Sequence, residues 1–390
     1  MKKRIIRYFK HILLTLVFLL FAGSLLLIYL NGTFNYGQSP LTYELNKEGP
    51  YVFYKNDSIL EVNYLKGNKL DGFDVDKYSK NIYTNPTLSC YFSLDSSSFS
   101  FKITPNPAIP ASIYNDENKI LAISDIESGY KTFRDFLIKN KVINNQLSWT
   151  FGKNHLVLLG DFVDRGHSTT QVLWFIYKLE QEAKKYGGFV HFIIGNHELY
   201  NMQGQFKSSK KKYYAIASIL EEQQQTLYSK KSVLGKWLSS KNSIENINGV
   251  LFTHGGLHPD ITTYDVSLSQ INAISRANYY KPYFPKPQKD VTQFVLSNKT
   301  GVCWYRGYFK DDLQDDAIAN SISKFNANAI VVGHTLQSKV KKLYNGKVYA
   351  IDVPHPKDYV DAWPNYKSEG LLIDTNNFYR VLATGKQIKL

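Results

Sequence analysis

The chain has 390 residues, of which 43% are hydrophobic and 21% are charged, and this composition excludes a disordered or collagen-like protein. It carries 47 lysine and arginine residues against 33 aspartate and glutamate residues. The basic excess suits acidic substrates or surfaces, but without a Lys/Arg-rich tract it predicts no nucleic-acid partner. Cys90 and Cys303 are too few for a disulfide framework and leave a single bridge between them open.

Residues 12–30 form an uncharged apolar run behind a basic N-terminus. A helix of that length would measure about 29 Å, enough to cross a bilayer core. We predict a signal anchor over residues 1–30, with its basic end in the cytoplasm. A cleaved signal peptide is the alternative, because Ala22-Gly23-Ser24 offers a small-residue cleavage site. With the anchor, the chain would be a single-pass membrane protein whose main part is exported to a periplasmic or other extracytoplasmic space.

Residues 31–115 predict a β-rich extension. They contain short alternating runs such as Tyr51–Tyr54 and Ser97–Ile103, which are typical of strands. Three prolines between residues 105 and 110 then separate this region from a different pattern.

Apolar strands alternate with helical segments in the last region, residues 116–390. The predicted strands are 120–124, 155–160, 189–194, 250–252, 329–332, 348–353 and 371–374, and the predicted helices are 130–139 and 169–186. This alternation indicates an α/β fold with a sheet covered by helices. The Lys/Glu/Gln-rich residues at about 207–245 have helical spacing and predict a helical insertion.

Five of the predicted strands end in residues that can bind metal or phosphate. These ends are Ser124–Gly129, Gly160–Gly166, Gly195–Glu198, Thr253–Leu257 and Gly333–Thr335. Because ligands bind at the carboxyl ends of strands in open α/β sheets, we expect the five loops to converge. Two-metal phosphoester hydrolysis needs such a set, with a bridging carboxylate for which Asp161 is the natural choice. Mixed His, Asn and Asp ligands suit Mn, Fe or Zn.

The motifs GDFVDRG, GNHE, HGG and GHT, in this order, resemble those of the calcineurin-like metallophosphoesterases of the phosphoprotein phosphatase superfamily. SVLGKWL at 232–238 and CWYRGY at 303–308 look like the Shewanella-like protein phosphatases and their bacterial relatives. The resemblance covers about residues 118–385. It implies a metallophosphoesterase-type α/β sandwich, with mixed sheets flanked by helices, and two divalent metal ions, of which Mn is favoured over Fe and Zn.

The resemblance also implies a role for each motif residue. Asp125 would bind the first metal, Asp161 would bridge both, and the second metal would be held by Asn196, His254 and His334. His197 would be the general acid, oriented by Asp164, and the phosphate would be held by Arg165 and Arg306. Glu198 would support the metal ligands from behind.

One position departs from the family pattern Asp-x-His, because Glu127 stands where the histidine is expected. A carboxylate can ligate Mn, Fe or Mg, so we expect Glu127 to remain a first-metal ligand in a harder and more negative site. Three other histidines, His155, His191 and His355, are expected to be structural.

The leading hypothesis is a membrane-anchored, exported phosphatase that hydrolyses phosphoproteins or small phosphomonoesters. A nucleotide hydrolase resembling the symmetrical diadenosine tetraphosphatases shares the GDxVDRG and GNHE motifs, although export disfavours it. The third hypothesis is a catalytically weak surface binding protein whose first metal site failed at Glu127. The sequence leaves the substrate, the metal and the oligomeric state open.

Overall fold

The structure is a computed structural model that describes residues 2–30, 32, 34–36, 44–287, 290–310 and 313–390. Part of the predicted extension, namely residues 31, 33 and 37–43, lies outside the described residues.

The secondary structure alternates as expected after residue 119. The helices are α1 (Lys2–Tyr29), α2 (Tyr130–Lys139), α3 (Thr169–Lys185), α4 (Asn196–Met202), α5 (Lys211–Ile219), α6 (Val233–Leu238), α7 (Leu268–Asn278), α8 (Val291–Leu296), α9 (Gly307–Lys310) and α10 (Asp315–Ser323). The strands are β1 (Phe34–Tyr36), β2 (Glu44–Tyr54), β3 (Ile59–Asn68), β4 (Gly72–Asn81), β5 (Thr87–Phe92), β6 (Ser97–Lys102), β7 (Ile113–Tyr114), β8 (Ile120–Ile123), β9 (His155–Leu158), β10 (Phe189–Phe192), β11 (Ile244–Ile247), β12 (Val250–Thr253), β13 (Ala329–Val332), β14 (Lys341–Leu343), β15 (Val348–Ala350), β16 (Asp361–Trp363), β17 (Glu369–Asp374), β18 (Asn377–Leu382) and β19 (Gln387–Lys389).

Two six-stranded sheets form the centre of the fold. Their strand orders are β10-β9-β8-β17-β18-β19 and β14-β15-β13-β12-β11-β7. Alternate residues of each strand point to opposite faces. Ala122 of one sheet therefore packs in the layer between the sheets with Phe252 and Val331 of the other, while Leu121 and Ile123 join the core beneath the helices. The predicted mixed α/β sandwich is confirmed.

The predicted helical insertion differs from the observed one at its end. Helices α5 and α6 and a 3-10 turn at Gln224–Tyr228 occupy its centre, but Ile244–Ile247 form a buried strand. This strand pairs antiparallel with β12. The polar Glu245 of this strand is buried beside the ring of His191, and its Oε2 lies 2.6 Å from His191 Nδ1.

The β-rich extension packs on one face of α3. The Phe101 ring stacks on Trp174 with centroids 4.5 Å apart, and Phe99 contacts Phe175 at 5.3 Å. The indole of Trp174 also donates a hydrogen bond to the Pro50 carbonyl at 2.8 Å. The extension and α3 therefore share one continuous apolar core.

Two buried ion pairs lie around α3. Glu48 of the extension pairs with Lys212 of α5 at 3.0 Å, and the same amine donates to the His167 carbonyl at 2.8 Å. Glu180 of α3 pairs with Lys241 at 2.6 Å. Each acid in this layer thus has a buried lysine as its partner.

Helix α1 is long and apolar enough to cross a membrane, and none of its described residues is buried. Cys90 and Cys303 are both buried and are not bridged to each other.

Candidate active site

The predicted strand ends meet at one edge of the two sheets. Seven of their non-glycine residues have left-handed backbone conformations, among them Asp125, Asp161 and His334 with φ of +53°, +56° and +63°. Non-glycine residues adopt this conformation at a free-energy cost, and such residues cluster at functional sites. The turns that these conformations produce bring the side chains of different loops together.

Four predicted ligands converge on one point. The Nε2 atom of His254 lies 3.0 Å from Asn196 Oδ1, 3.1 Å from His334 Nδ1 and 3.2 Å from Asp161 Oδ1. Its Nδ1 faces the Leu159 carbonyl at 2.6 Å, so Nδ1 carries the proton and Nε2 presents a lone pair. Two imidazole nitrogens and two oxygens at this spacing fit a divalent transition-metal ion.

The charges at this point are strongly coupled. Burial opposes protonation of His254, but the Asp161 carboxylate raises its pKa to about 9. Conversely, burial opposes ionisation of Asp161, and His254 holds the pKa of Asp161 below its ordinary value. A cation at this point would take the place of the imidazole proton, because a metal ligand must be deprotonated.

Glu198 supports the cluster from behind, as the sequence predicted. Its buried carboxylate accepts hydrogen bonds from the backbone N–H groups of Asp161, Phe162 and Gly195, each at 2.9 Å. A Cβ at Gly195 would overlap Asp161 Oδ1, so only glycine fits there. The carboxylate therefore fixes two of the site loops against each other.

His197 lies beside this cluster with a carboxylate behind it. Its Nδ1 is 2.8 Å from Asp164 Oδ2, and the other oxygen of Asp164 accepts a hydrogen bond from Asn201. Burial lowers the pKa of His197, but the hydrogen bond to Asp164 and the charges of Asp161 and Asp164 together outweigh burial, and the net pKa is raised. The ring is therefore favoured in its protonated form, which a general acid requires.

The two predicted phosphate-binding arginines lie on either side of the cluster. Arg306 donates to the His334 carbonyl at 2.5 Å and to Thr335 Oγ1 at 3.1 Å. Arg165 lies 3.1 Å from His197 Nε2. The Arg306 side chain is partly buried, which strengthens its attraction for an anion, whereas the Arg165 side chain is 49% exposed.

Two predicted ligands, Glu127 and Asp125, are not among the residues that group around His254 in the described part of the chain. The two carboxylate oxygens of Glu127 form ion pairs, one with Arg165 and the other with Lys357.

Two residues without a predicted role in the site, Asp352 and His355, also lie in its wall. Asp352 follows β15, and burial, then Glu127 and Asp161, raise its pKa to about 8. Burial and then Asp352 raise the pKa of Asp125 well above its usual range. His355, expected to be structural, lies in the same wall. Asp352 could have been found as a sixth polar strand end, but the strand was predicted to continue to residue 353.

Two clefts open from the site. The carboxylate cleft, of about 410 Å³, includes Asp125, Glu127, Asp161, Asp352, His355 and Lys357 in its wall. The basic cleft, of about 1240 Å³, includes Tyr200, Lys207, Lys286, Lys299, Trp304 and Lys310. They share Arg165, Asn196, His197, Arg306 and His334. The shared residues are thus reached from both sides.

The chain is similar to phosphatases of known structure. It is 29% identical to a cold-active protein-tyrosine phosphatase of a psychrophilic Shewanella species, with a TM-score of 0.76, and the match covers 88% of this chain and 99% of the other. Shewanella-like protein phosphatase 1 of Plasmodium berghei is 28% identical over 64% of this chain and 70% of that protein. Shewanella-like protein phosphatase 2 of Arabidopsis thaliana is 22% identical over 68% of this chain and 79% of that protein.

The family itself is recognised over the part of the chain that holds the site. Residues 118–338 match the calcineurin-like phosphoesterase family, more than half of the chain. This range includes every predicted ligand and both arginines, and the family uses divalent metals. The chain therefore belongs to the calcineurin-like phosphoesterases, with Shewanella-like protein phosphatases among its homologues.

Proposed function

We propose that this chain is a membrane-anchored, exported phosphatase that hydrolyses phosphomonoesters with two divalent metal ions, preferably Mn. The observation that carries the proposal is the convergence of Asp161, Asn196, His254 and His334 beside the His197–Asp164 pair. A metal-binding cluster next to an oriented proton donor supports hydrolysis better than simple ligand binding.

The metal ions, when bound, would activate the attacking water and neutralise charge on the phosphate. The protein residues supply the remainder of the chemistry. Arg165 and Arg306 would hold the phosphate oxygens through forked N–H donors. His197 would donate a proton to the leaving alkoxide while Asp164 keeps the ring oriented.

The basic cleft supports an acidic or phosphorylated protein as substrate. Its wall carries lysines on several sides of the shared arginines, together with Tyr200 and Trp304. The Shewanella neighbour is described as a protein-tyrosine phosphatase, and we extend that activity to this chain as part of the proposal. An aromatic leaving group would contact Tyr200 and Trp304, whose ring centroids are 5.2 Å apart.

Export and anchoring rest on α1. Its five basic residues before the apolar run support a cytoplasmic N-terminus and an exported catalytic part. Fusion of a reporter active only outside the cytoplasm to the C-terminus would test this orientation.

The function is tested with the full chain purified in detergent. We expect hydrolysis of p-nitrophenyl phosphate and of a phosphotyrosine peptide with Mn, and none after chelation and dialysis. Full activity in excess chelator would contradict the metal mechanism. A phosphoserine peptide of the same sequence serves as the control for leaving-group preference.

A nucleotide hydrolase is the second candidate, favoured by one comparison. The symmetrical bis(5'-nucleosyl)-tetraphosphatase of Buchnera aphidicola is 26% identical over 157 residues, which is 39% of this chain and 48% of that protein. Faster cleavage of diadenosine tetraphosphate than of the phosphopeptides would favour this candidate.

A further inference from the structure

The carboxylate cleft contains more acidic groups than its basic partners neutralise. Glu127 uses both of its oxygens in ion pairs with Arg165 and Lys357. Its charge is therefore balanced within the protein, and its oxygens are engaged away from the cluster around His254.

Asp352 is in the opposite situation. Its side chain lines the same cleft and only 6% of the residue is exposed. Within the described residues its carboxylate has no hydrogen bond or ion pair; burial, then Glu127 and Asp161, raise its pKa, and the charges of Arg165 and Arg306 lower it. A buried carboxylate without a partner is costly, and native proteins seldom keep one without a ligand for it.

A buried acceptor without a partner among the described residues lies in the same wall. The Nε2 of His355 is 2.9 Å from the Ser124 carbonyl, which can only accept, so Nε2 carries the proton and Nδ1 carries a lone pair. Nδ1 is buried and has no hydrogen-bond partner in the structure as described. Ser124 directly precedes Asp125, so this acceptor lies next to the loop that holds the predicted first-metal ligand.

We propose that Asp125, Asp161 and Asp352 hold the first cation, and that Glu127 anchors Arg165 instead of binding metal. The inference rests on the proposed two-metal function and gives that function a different ligand set. A site of carboxylate oxygens favours Mn or Mg, whereas the nitrogen ligands of the second site favour a transition metal. The two sites would thus differ in their metal preference.

The test measures manganese binding to the full chain by isothermal titration calorimetry and electron paramagnetic resonance. We expect the wild-type protein to bind two Mn ions and to show an exchange-coupled signal. Asp352→Asn should bind one ion tightly, with the first-site affinity lowered by about 100-fold and a mononuclear signal. Glu127→Gln should keep both ions and the coupled signal.

Asp358→Asn is the matched control, because Asp358 is equally buried on the same segment but is absent from the wall of the carboxylate cleft. Its oxygens accept from the N–H groups of Tyr130 and Lys131, and it should bind two ions. If Asp352→Asn does not fold, Asp352→Ser provides the same measurement.

Two outcomes would overturn the inference: a variant at Asp352 that keeps two ions with wild-type affinity, or a Glu127→Gln protein that loses one. A wild-type chain that binds fewer than two ions would also overturn it. The two proposals can also fail separately. If the wild-type protein binds two ions and the Asp352→Asn variant binds one, but the wild-type protein hydrolyses no ester, the ligand set is supported and the proposed function is overturned.

Discussion

The carboxylate cleft and the layer around α3 both bury acidic side chains, but the two regions differ in the basic partners that they provide for these acids. Around α3, Glu48 pairs with Lys212 and Glu180 pairs with Lys241, and all four residues are largely buried. In the carboxylate cleft, Asp352 has no partner in the described part of the chain, and burial raises its pKa to about 8. Each of these acids around α3 therefore has a basic partner in direct contact, whereas Asp352 in the carboxylate cleft has none among the described residues.

This difference distinguishes charged residues that stabilise the fold from charged residues that are available to bind a ligand. A buried pair that loses one partner is left with an uncompensated charge, which destabilises the folded state. A cleft that already carries uncompensated carboxylates attracts cations instead. Substitutions in the two regions should therefore change different quantities, namely turnover in the cleft and the free energy of unfolding in the layer around α3.

The largest effect is expected for His197→Ala in the cleft. Loss of the proton donor should lower the turnover of an alkyl phosphate by about 10²–10⁴-fold. Turnover of p-nitrophenyl phosphate should fall less, because that leaving group departs without a proton. Metal content and the free energy of unfolding should remain near wild type; a variant stripped of metal would instead identify His197 as a ligand.

The next effect is expected for Lys241→Met in the layer around α3. It leaves Glu180 buried without its closest partner and should lower the free energy of unfolding by about 3–5 kcal/mol, measured by urea denaturation. Turnover per folded molecule should not change. Lys184→Met is the control, because its exposed amine pairs with the same carboxylate and should contribute less than about 1 kcal/mol. Equal losses in the two variants would contradict the comparison.

A smaller effect should appear as pH dependence of stability. Burial opposes ionisation of Glu180, but Lys241 and Lys184 lower its pKa to about 2, from an ordinary value of 4.5. Because the folded pKa is the lower one, this stabilisation is complete above about pH 4.5 and is lost as the pH falls towards 2. The difference between the folded and the ordinary pKa of Glu180 corresponds to about 3 kcal/mol of free energy of unfolding. Glu180→Gln should have a correspondingly flatter unfolding curve between pH 5 and pH 2, as determined by thermal melts.

The smallest effect is expected for Glu127→Gln. Glu127 forms an ion pair with Arg165, whose side chain is about half exposed. Ion pairs of this kind contribute about 0–1 kcal/mol to the free energy of unfolding. Release of the guanidinium should lower KM for p-nitrophenyl phosphate by up to about fivefold. Steady-state kinetics at saturating Mn measure this change. A large fall in kcat would mean that Glu127 acts on the reacting groups directly.

The sequence alone predicted the helices and strands whose own residues form a clear apolar pattern. The helix at residues 130–139 and the strand at 329–332 have the predicted bounds, because apolar periodicity and local breakers agree there. Strand β11 was missed because its polar residues are satisfied by distant partners such as His191, which a local pattern does not contain.

The site could be predicted where motif and strand end coincide. Asp161, Asn196, His254 and His334 follow apolar strands, and their convergence follows from the topology of the sheet. The pairing of Glu127 with Lys357 could not be predicted, because it joins loops that are 230 residues apart along the chain. Asp352 was missed for a local reason, because the strand before it was predicted to continue to residue 353.

The shared core of the extension and α3 also determines the order in which the chain can fold. The extension is synthesised first, yet Phe99 and Phe101 pack against Trp174 and Phe175, which follow more than 70 residues later. Until α3 has emerged, Phe99 and Phe101 lack the aromatic partners that they contact in the folded chain. The nascent chain therefore passes through an aggregation-prone stage, and a chaperone that binds it there would raise the yield of folded protein.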